Sequence, residues 1–344
     1  MISLVLMLLN VTACGTVAGI NQTGVVLALG VDPGPSGQLL WTFMFPNPTI
    51  TPSSEASVKP SEEFYTLQSY ASSLVQAAEK ISMLTDRHVY LGDIQVVAVS
   101  SHIGSRELVH VIHLLINTGD FPPRAWLTIA SPSGEAVLKV SPPEEVVPTV
   151  FLGSYFSCQI CHAIQLETRV WQVWDDLLVP SHTAVIPLST VKGNKVQVNG
   201  SIWLTPTHIV ECGRKRTLYW AMAMGKYRAG TLAIDNNRVV AEGVRIASHR
   251  WILVSSRHMV SRWIITLHGH WQSVNTGFKE TSYDNLAEKM VLRHVLEIYQ
   301  LAVEQHVDPF GVLNQVVWTT SGKAIMPRAE VTVLCHIAAT ARTE

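Results

Sequence analysis

The chain of 344 residues lacks an excess of charge of either sign. It contains 25 Lys and Arg residues against 26 Asp and Glu residues, which gives a formal net charge of −1. Proteins that bind nucleic acid through phosphate contacts concentrate basic residues, so this balance gives no general electrostatic footprint for nucleic acid. Cysteine is also scarce, and five scattered cysteines are too few for a fold that is held together by disulfides.

Sequence signatures of common enzymes are absent as well. The chain contains no G-x-x-x-x-G-K-[ST], G-x-G-x-x-G, H-E-x-x-H or G-x-S-x-G motif. The adjacent carboxylates Glu144-Glu145 and Asp175-Asp176 do not replace these motifs, because neighbouring residues do not face each other on a helix. We therefore expect a binding or scaffold protein and not an enzyme, with no catalytic, cofactor-binding or metal-binding residues and no cofactor.

The first hydrophobic run, residues 2–9, is too short to cross a membrane. A spanning helix needs about 20 apolar residues, whereas this run has the length of a signal-peptide core. Val11-Thr12-Ala13-Cys14 follows, and small residues before a cysteine are typical of a lipobox. We predict a lipoprotein signal peptide over residues 1–13 and a diacylglycerol on Cys14, whose two acyl chains give stable anchoring. No Lys or Arg precedes the run, and the alternative is a buried N-terminal element with an incidental cysteine.

The remaining chain has the composition of a globular protein with substantial cores. Hydrophobic residues make up 47% and charged residues 15% of the sequence, which excludes an intrinsically disordered chain. Its length exceeds what a single core usually supports, so two or three domains are expected. We predict an N-terminal α+β region over residues 14–192 and a C-terminal α+β domain over residues 193–344.

The N-terminal region alternates between strand and helix patterns. Apolar stretches predict strands at residues 24–32, 38–45, 93–100 and 124–130, the first two as a hairpin, and a helix at residues 107–116. A second helix is predicted from Ser61, because apolar residues then recur at spacings of three and four: Phe64, Leu67, Ala71, Leu74, Ala78 and Ile81. Three prolines indicate a subdivision near residue 145, and residues 151–178 are predicted as a helical connector.

The C-terminal domain carries mostly strand patterns and one long helix. Strands are predicted at residues 196–204, 231–234, 239–247, 251–256, 261–272 and 329–338, with a short helix at residues 216–224. The long helix, residues 282–306, has one apolar stripe: Ala287, Val291, Val295, Ile298 and Ala302. These patterns predict a multi-domain α+β fold with mixed sheets, in which a mostly antiparallel C-terminal sheet is covered by the long helix.

Cys158-Gln159-Ile160-Cys161-His162 matches the C-x-x-C-H pattern of covalent haem attachment. Two thiols one helical turn apart can bond both vinyl groups, and the adjacent histidine can ligate the iron. The pattern nevertheless falls in an apolar segment predicted to be helical. We therefore interpret Cys158 and Cys161 as core residues without haem, and an exported haem protein or a local redox pair remains the alternative.

Two other clusters invite a functional interpretation. His268 and His270 alternate along a predicted strand and share one face, which could begin a metal site. No further ligand stands at a recognisable spacing, so we expect both on the outer face of a sheet. Arg214-Lys215-Arg216 could contact acidic lipid headgroups or a partner, although a solvated turn before a helix is the expectation.

Four stretches resemble the Ger(x)C family, the lipoprotein C subunits of bacterial spore germinant receptors. The first is the lipobox followed by an apolar strand that ends Gly30-Val31-Asp32, similar to the family's Gly-Ile-Asp. The second covers residues 88–97, the third is Val307-Asp308-Pro309-Phe310-Gly311, and the fourth covers residues 327–333. They stand in family order and span nearly the whole chain. Gly15, Thr16 and Gly19 depart from the family's Trp, Asp and Glu.

The resemblance implies a role that composition and periodicity do not. It implies a non-catalytic subunit of a spore nutrient-germinant receptor, held by its lipid on the outer face of the spore inner membrane. Its partners would be two integral-membrane subunits, whose assembly or signal coupling it would assist. A solute-binding lipoprotein or an unrecognised lipoprotein enzyme is the remaining alternative.

Overall fold

A sheet of eight strands and a sheet of four organise the chain in a computed structural model, and a two-stranded parallel sheet accompanies them. The structure describes residues 22–47, 64–140, 148–158, 162–164, 166–234, 239–254, 259–272, 280–313 and 326–339. The strands within these residues are β1 (Thr23–Val25), β2 (Ala28–Pro33), β3 (Leu39–Pro46), β4 (Phe64–Ala71), β5 (His88–Tyr90), β6 (Val96–Ser100), β7 (Trp126–Ser131), β8 (Ala184–Lys192), β9 (Lys195–Leu204), β10 (Ile209–Gly213), β11 (Gly230–Ile234), β12 (Val239–Val254), β13 (Met259–Trp271) and β14 (Arg328–Ala339). The helices are α1 (Leu74–Ser82), α2 (Ser105–Ile116), α3 (Gly134–Leu138), α4 (Pro148–Ser157), α5 (Val170–Leu178), α6 (Arg214–Ala223) and α7 (Glu280–Glu304).

The eight-stranded sheet has the order β10-β9-β8-β7-β6-β2-β3-β4. Its centre is parallel, and antiparallel strands complete both edges. Strand β6 is buried along its whole length, because α2 and α5 cover one face of the sheet while α3 and α4 cover the other. Such double coverage explains the continuous apolar sequence of this strand. The predicted hairpin is confirmed as β2 and β3.

The helix predicted from Phe64 to Ile81 is wrong in its first half. Residues Phe64–Ala71 form the edge strand β4, which pairs with β3, and only Leu74–Ser82 is helical. Ser73 begins the helix by accepting a hydrogen bond from the Gln76 N–H. The spacing of the apolar residues continued across this boundary by coincidence, and pairing with β3 decided the conformation.

The predicted helical connector over residues 151–178 contains two helices, α4 and α5, instead of one. Between the two helices, Ile164 forms a β-bridge with Tyr227 and Arg169 forms one with Trp126, so the backbone is extended at these two residues. The domain boundary at residue 193 stays a prediction. Strand β9, which follows residue 193, pairs with β8 in the eight-stranded sheet, and β10 pairs with β9.

The four-stranded sheet has the order β11-β12-β13-β14, antiparallel except for the β13–β14 pair. Helix α7 packs on one face, and the predicted stripe is buried: Ala287, Val291, Val295, Ile298 and Ala302. The predicted mostly antiparallel sheet under one long helix is therefore confirmed. The two strands predicted at residues 239–247 and 251–256 form the single strand β12.

Candidate functional site

The Gly30-Val31-Asp32 stretch docks helix α3 on the larger sheet. Asp32 is buried, and its two carboxylate oxygens accept the Gly134 N–H at 2.7 Å and the Glu135 N–H at 3.0 Å. These are donors that the first turn of a helix leaves unpaired. A Cβ at Gly134 would lie 2.3 Å from the Ala98 carbonyl oxygen, so only glycine allows this approach. Burial raises the pKa of Asp32, while the two N–H donors act to lower it.

Replacing Asp32 with alanine should destabilise the protein by about 1–3 kcal/mol, because a buried N–H group and a partly buried one lose their acceptor. Chemical denaturation followed by far-UV circular dichroism measures this loss. The matched control is Asp86→Ala, since the Asp86 side chain is 96% exposed and its replacement should change stability by no more than about 0.5 kcal/mol. Equal stability of the two variants would contradict the proposed role of Asp32 as a helix cap.

The second stretch, residues 88–97, borders a cleft of about 590 Å³ at the start of strands β2, β6 and β7. Asp93 and Gln95 line the cleft together with Arg124 and Arg169. The Arg169 guanidinium lies 3.6 Å from the centroid of the Trp126 ring, a cation–π contact that fixes its position. Burial lowers the pKa of Arg169, with Glu167 acting in the opposite direction. The cleft therefore presents two guanidinium groups that could donate hydrogen bonds to an anionic group.

The third stretch forms a turn after α7 that joins the two sheets. Asp308 is buried, and its carboxylate accepts the Leu313 N–H at 2.5 Å. The Asp308 N–H donates to the Thr183 hydroxyl at 2.7 Å, directly before β8. Gly311 has a φ of +64°, which favours glycine. Burial raises the pKa of Asp308, although nearby backbone N–H groups and Arg250 act to lower it.

Phe310 occupies the centre of an aromatic cluster at this turn. Its ring centroid lies 6.4 Å from that of Trp203 in β9, 5.8 Å from that of Trp263 in β13 and 5.5 Å from that of Tyr299 in α7. The Tyr299 hydroxyl donates to the carbonyl of Pro327 at 2.5 Å, which brings the fourth stretch to the same place. The third and fourth stretches therefore meet where the two sheets join, and we call this contact the junction.

A cleft of about 290 Å³ opens beside the junction. Asp176, His182, Lys226 and Asp308 are among the residues that line it. His182 Nδ1 lies 3.2 Å from Asp176 Oδ1, which acts to lower the Asp176 pKa, although burial raises it overall. Loss of hydration lowers the pKa of Lys226, while Glu167 and Asp176 act to raise it. The cleft is small, and it offers hydrogen-bonding groups of both charge signs.

The structure separates the residues that the sequence singled out. Cys14 and Cys161 lie outside the described residues. Cys158 directly follows α4 and is disulfide-bonded, which corrects its interpretation as a helical core residue. In this state its sulfur is not available for a thioether bond to haem. The neighbouring His162 ring stacks on Tyr155 with centroids 3.7 Å apart.

The histidines and the basic triplet also fall on separate surfaces. His268 and His270 are exposed on the outer face of the smaller sheet, as expected, and His268 stacks on His336. The described residues include no group of three or more potential ligands that could hold a metal ion. Residues 214–216 form the first turn of α6, and not a turn before it. Within the part of the chain that the structure covers, no helix is long and apolar enough to cross a membrane.

Sequence reasoning missed the partners that complete these sites. It did not predict α3, although Ser133 followed by Glu135 is a helix-start signal and the Ser133 hydroxyl accepts the Ala136 N–H. It also missed Thr183 and Trp220, whose indole N–H donates to the Pro309 carbonyl at 2.9 Å. No local pattern marks these two residues, because their partners are distant in sequence.

Known proteins resemble this chain in sequence and in fold. The sequence model described as the spore germination protein N-terminal domain matches residues 18–191. The crystal structure of the GerBC protein superimposes with a TM-score of 0.57 at 12% identity, covering 91% of this chain and 96% of that chain. That similarity concerns the fold alone. No curated protein sequence matches the chain.

Fold and comparisons together define the class as a mixed α+β spore germination protein with two sheets joined through an aromatic turn. The chain belongs to the Ger(x)C family, the C subunits of spore germinant receptors. The resemblance stated from the four stretches is thereby confirmed.

Proposed function

We propose that the chain is the lipid-anchored, non-catalytic C subunit of a spore nutrient-germinant receptor. It assists assembly or couples the signal during germination, together with two integral-membrane subunits on the outer face of the spore inner membrane. The observation that carries this proposal is the match of the germination-protein domain over residues 18–191. A subunit with such a role needs an anchor and surfaces for its partners, and it does not need a catalytic centre.

The junction supports the part of the proposal that concerns coupling. Asp308 contacts the element before β8, and Phe310 contacts β9, β13 and α7. Packed aromatic side chains and buried hydrogen bonds resist separation, so a displacement of one sheet is expected to move the other. A partner bound to either sheet would then act on both.

Cys14 is the proposed attachment point, and its replacement provides the first test. Cys14→Ala should release the processed protein from membranes or leave the precursor uncleaved, because no thiol remains to carry the diacylglycerol. Membrane fractionation with high-salt and carbonate washes, followed by intact mass measurement, distinguishes these states. Processed Cys14→Ala protein that remains membrane-bound after both washes would contradict a lipid anchor.

Co-purification tests the receptor assignment directly. The wild-type chain, carrying an affinity tag at its C-terminus and extracted from spore membranes in mild detergent, should recover two multispanning proteins in constant proportion. A tagged, unrelated spore lipoprotein serves as the control for recovery through shared lipid. Recovery of the chain without multispanning partners, under conditions that preserve other membrane complexes, would contradict the proposal.

A further inference from the structure

The turn after α1 exposes two adjacent large apolar side chains. Met83 is 81% and Leu84 63% exposed, the two highest values among the large hydrophobic residues that the structure describes as exposed. The backbone of this turn is held in place, because the Met83 N–H donates to the Lys80 carbonyl and the Leu84 N–H to the Ile81 carbonyl. Ile81 itself is fully buried beneath the turn. Met83 and Leu84 therefore form a fixed apolar tip on a packed helix.

The tip lies on the side of the molecule where β1 begins. Strand β5 follows the tip and pairs in parallel with β1, with His88 opposite Thr23. Because parallel strands start at the same end, the turn before His88 and the start of β1 at Thr23 lie on the same side. Cys14 precedes Thr23 by about nine residues, and a segment of that length spans at most roughly 32 Å. A lipid on Cys14 would hold this end of the molecule towards the bilayer.

The charges around the tip favour an apolar partner and not an anionic one. Glu79 and Asp86 balance Lys80 and Arg87, so the segment of residues 79–87 that carries the tip has no net charge. Lys80 Nζ donates to the Tyr70 carbonyl at 2.6 Å, and Arg87 Nε lies 3.9 Å from Asp86 Oδ1. Attraction to anionic lipid therefore contributes little, and the binding energy must come from burial of apolar surface.

We propose that Met83 and Leu84 form a second membrane contact, inserted between the lipid headgroups beside the lipid on Cys14. This inference rests on the proposed lipid anchor. Insertion removes both side chains from water and adds to the anchoring by the acyl chains. Two contacts at one end of the molecule also fix how the chain stands on the bilayer, which a single flexible anchor does not.

Depth-dependent quenching of a fluorescent label tests the contact. Met83→Cys in the full lipidated chain is labelled with a nitrobenzoxadiazole probe and reconstituted into phosphatidylcholine vesicles that contain brominated acyl chains. The control variant is Thr332→Cys, which carries the same label at an exposed position of the smaller sheet. Cys212 is buried with a pKa raised to about 12, so it reacts slowly, and the parent chain treated in the same way gives the remaining background. We expect several-fold stronger quenching at position 83 than at position 332.

A second measurement follows the exchange of the chain between vesicles. The double variant Met83→Ser/Leu84→Ser should exchange several-fold faster than wild type, with an unchanged thermal unfolding curve because both side chains are exposed. Val75→Ser is the control, because Val75 is 53% exposed on the same helix and lies about 12 Å from the tip. The Val75→Ser variant should exchange between vesicles at the wild-type rate. Exchange should not respond to salt, because the nearby charges cancel.

The outcomes separate the contact from the anchor. Equal quenching at positions 83 and 332 in a chain whose mass includes the lipid on Cys14 overturns the tip contact and leaves the anchor intact. A chain that never acquires the lipid overturns the anchor, and with it a contact placed beside the anchor. Quenching that appears only with anionic lipid at low salt overturns the apolar insertion. Protection of position 83 only when multispanning subunits are present reassigns the tip to a protein partner.

Discussion

Phe310→Ala should lower the free energy of unfolding by about 3–5 kcal/mol, the range expected for removing a buried aromatic ring from a packed core. Phe310 is 1% exposed and contacts three aromatic residues, Trp203, Trp263 and Tyr299, that belong to three different elements. Alanine would leave a cavity that these large rings cannot fill without moving the strands that carry them. Loss of the Phe310 ring should therefore weaken the core of the smaller sheet and also the contact between the smaller and the larger sheet.

Denaturant unfolding monitored by tryptophan fluorescence measures this effect, because Trp203 and Trp263 both lie within the perturbed cluster. Phe310→Leu retains most of the side-chain volume, so it should lower the free energy of unfolding by less than Phe310→Ala does. Leu178→Ala, at a side chain that is 59% exposed, is the surface control and should change stability by about 0.5 kcal/mol or less. If Phe310→Ala unfolded at the wild-type midpoint, the junction would not stabilise the fold, and the argument for coupling through it would fail.

Elements with a regular apolar period could be predicted from the sequence, because one face of each is buried by a neighbour. Helix α7 repeats its buried residues every three or four positions, and α2 does the same with Leu108, Val111, Ile112 and Leu115. Strand β14 alternates with period two. Such periods reflect the geometry of the element itself, so no knowledge of the partner is needed to recognise them.

Contacts between distant residues could not be predicted in this way. Asp32 caps a helix that begins 102 residues later, and Thr183 accepts a hydrogen bond from a residue 125 positions away. The local sequence around Asp32 or Thr183 gives no indication of which distant residue will be its hydrogen-bond partner. The family resemblance marked Asp32, Asp308 and Phe310 as positions of interest, but their physical roles emerged only from the contacts. The local pattern of β4 predicts a helix, but its pairing with β3 outweighs that pattern.

The closing strand β14 is the place where a single charge should be most damaging. Val331 and Val333 lie on the side of β14 that contacts the core under α7, as its period of two predicts, and Thr332 points outward. Val333 is 8% exposed and pairs with Ile265, which is fully buried. Val333→Asp would place an unpaired carboxylate in this core and should cost about 4 kcal/mol or more, enough to unfold a marginally stable domain. Val331 is only partly buried, so Val331→Asp should cost less.

The pH dependence of the stability of Val333→Asp distinguishes a buried carboxylate from a simple packing defect. Burial disfavours the charged form, so the folded-state pKa of the new carboxyl rises above its unfolded value of about 3.9. The loss of stability caused by Val333→Asp should then be largest and constant above the raised pKa. It should shrink as the pH falls from the raised pKa towards the unfolded value. Thermal unfolding at a series of pH values measures this difference against wild type, and Val333→Asn, which cannot ionise, should show no such trend. Thr332→Asp, on the exposed face, should remain close to wild type in stability. Wild-type stability of Val333→Asp at neutral pH would refute the burial of Val333. If Thr332→Asp abolished receptor assembly in a well-folded chain, the outer face of β14 would instead be a partner-binding surface.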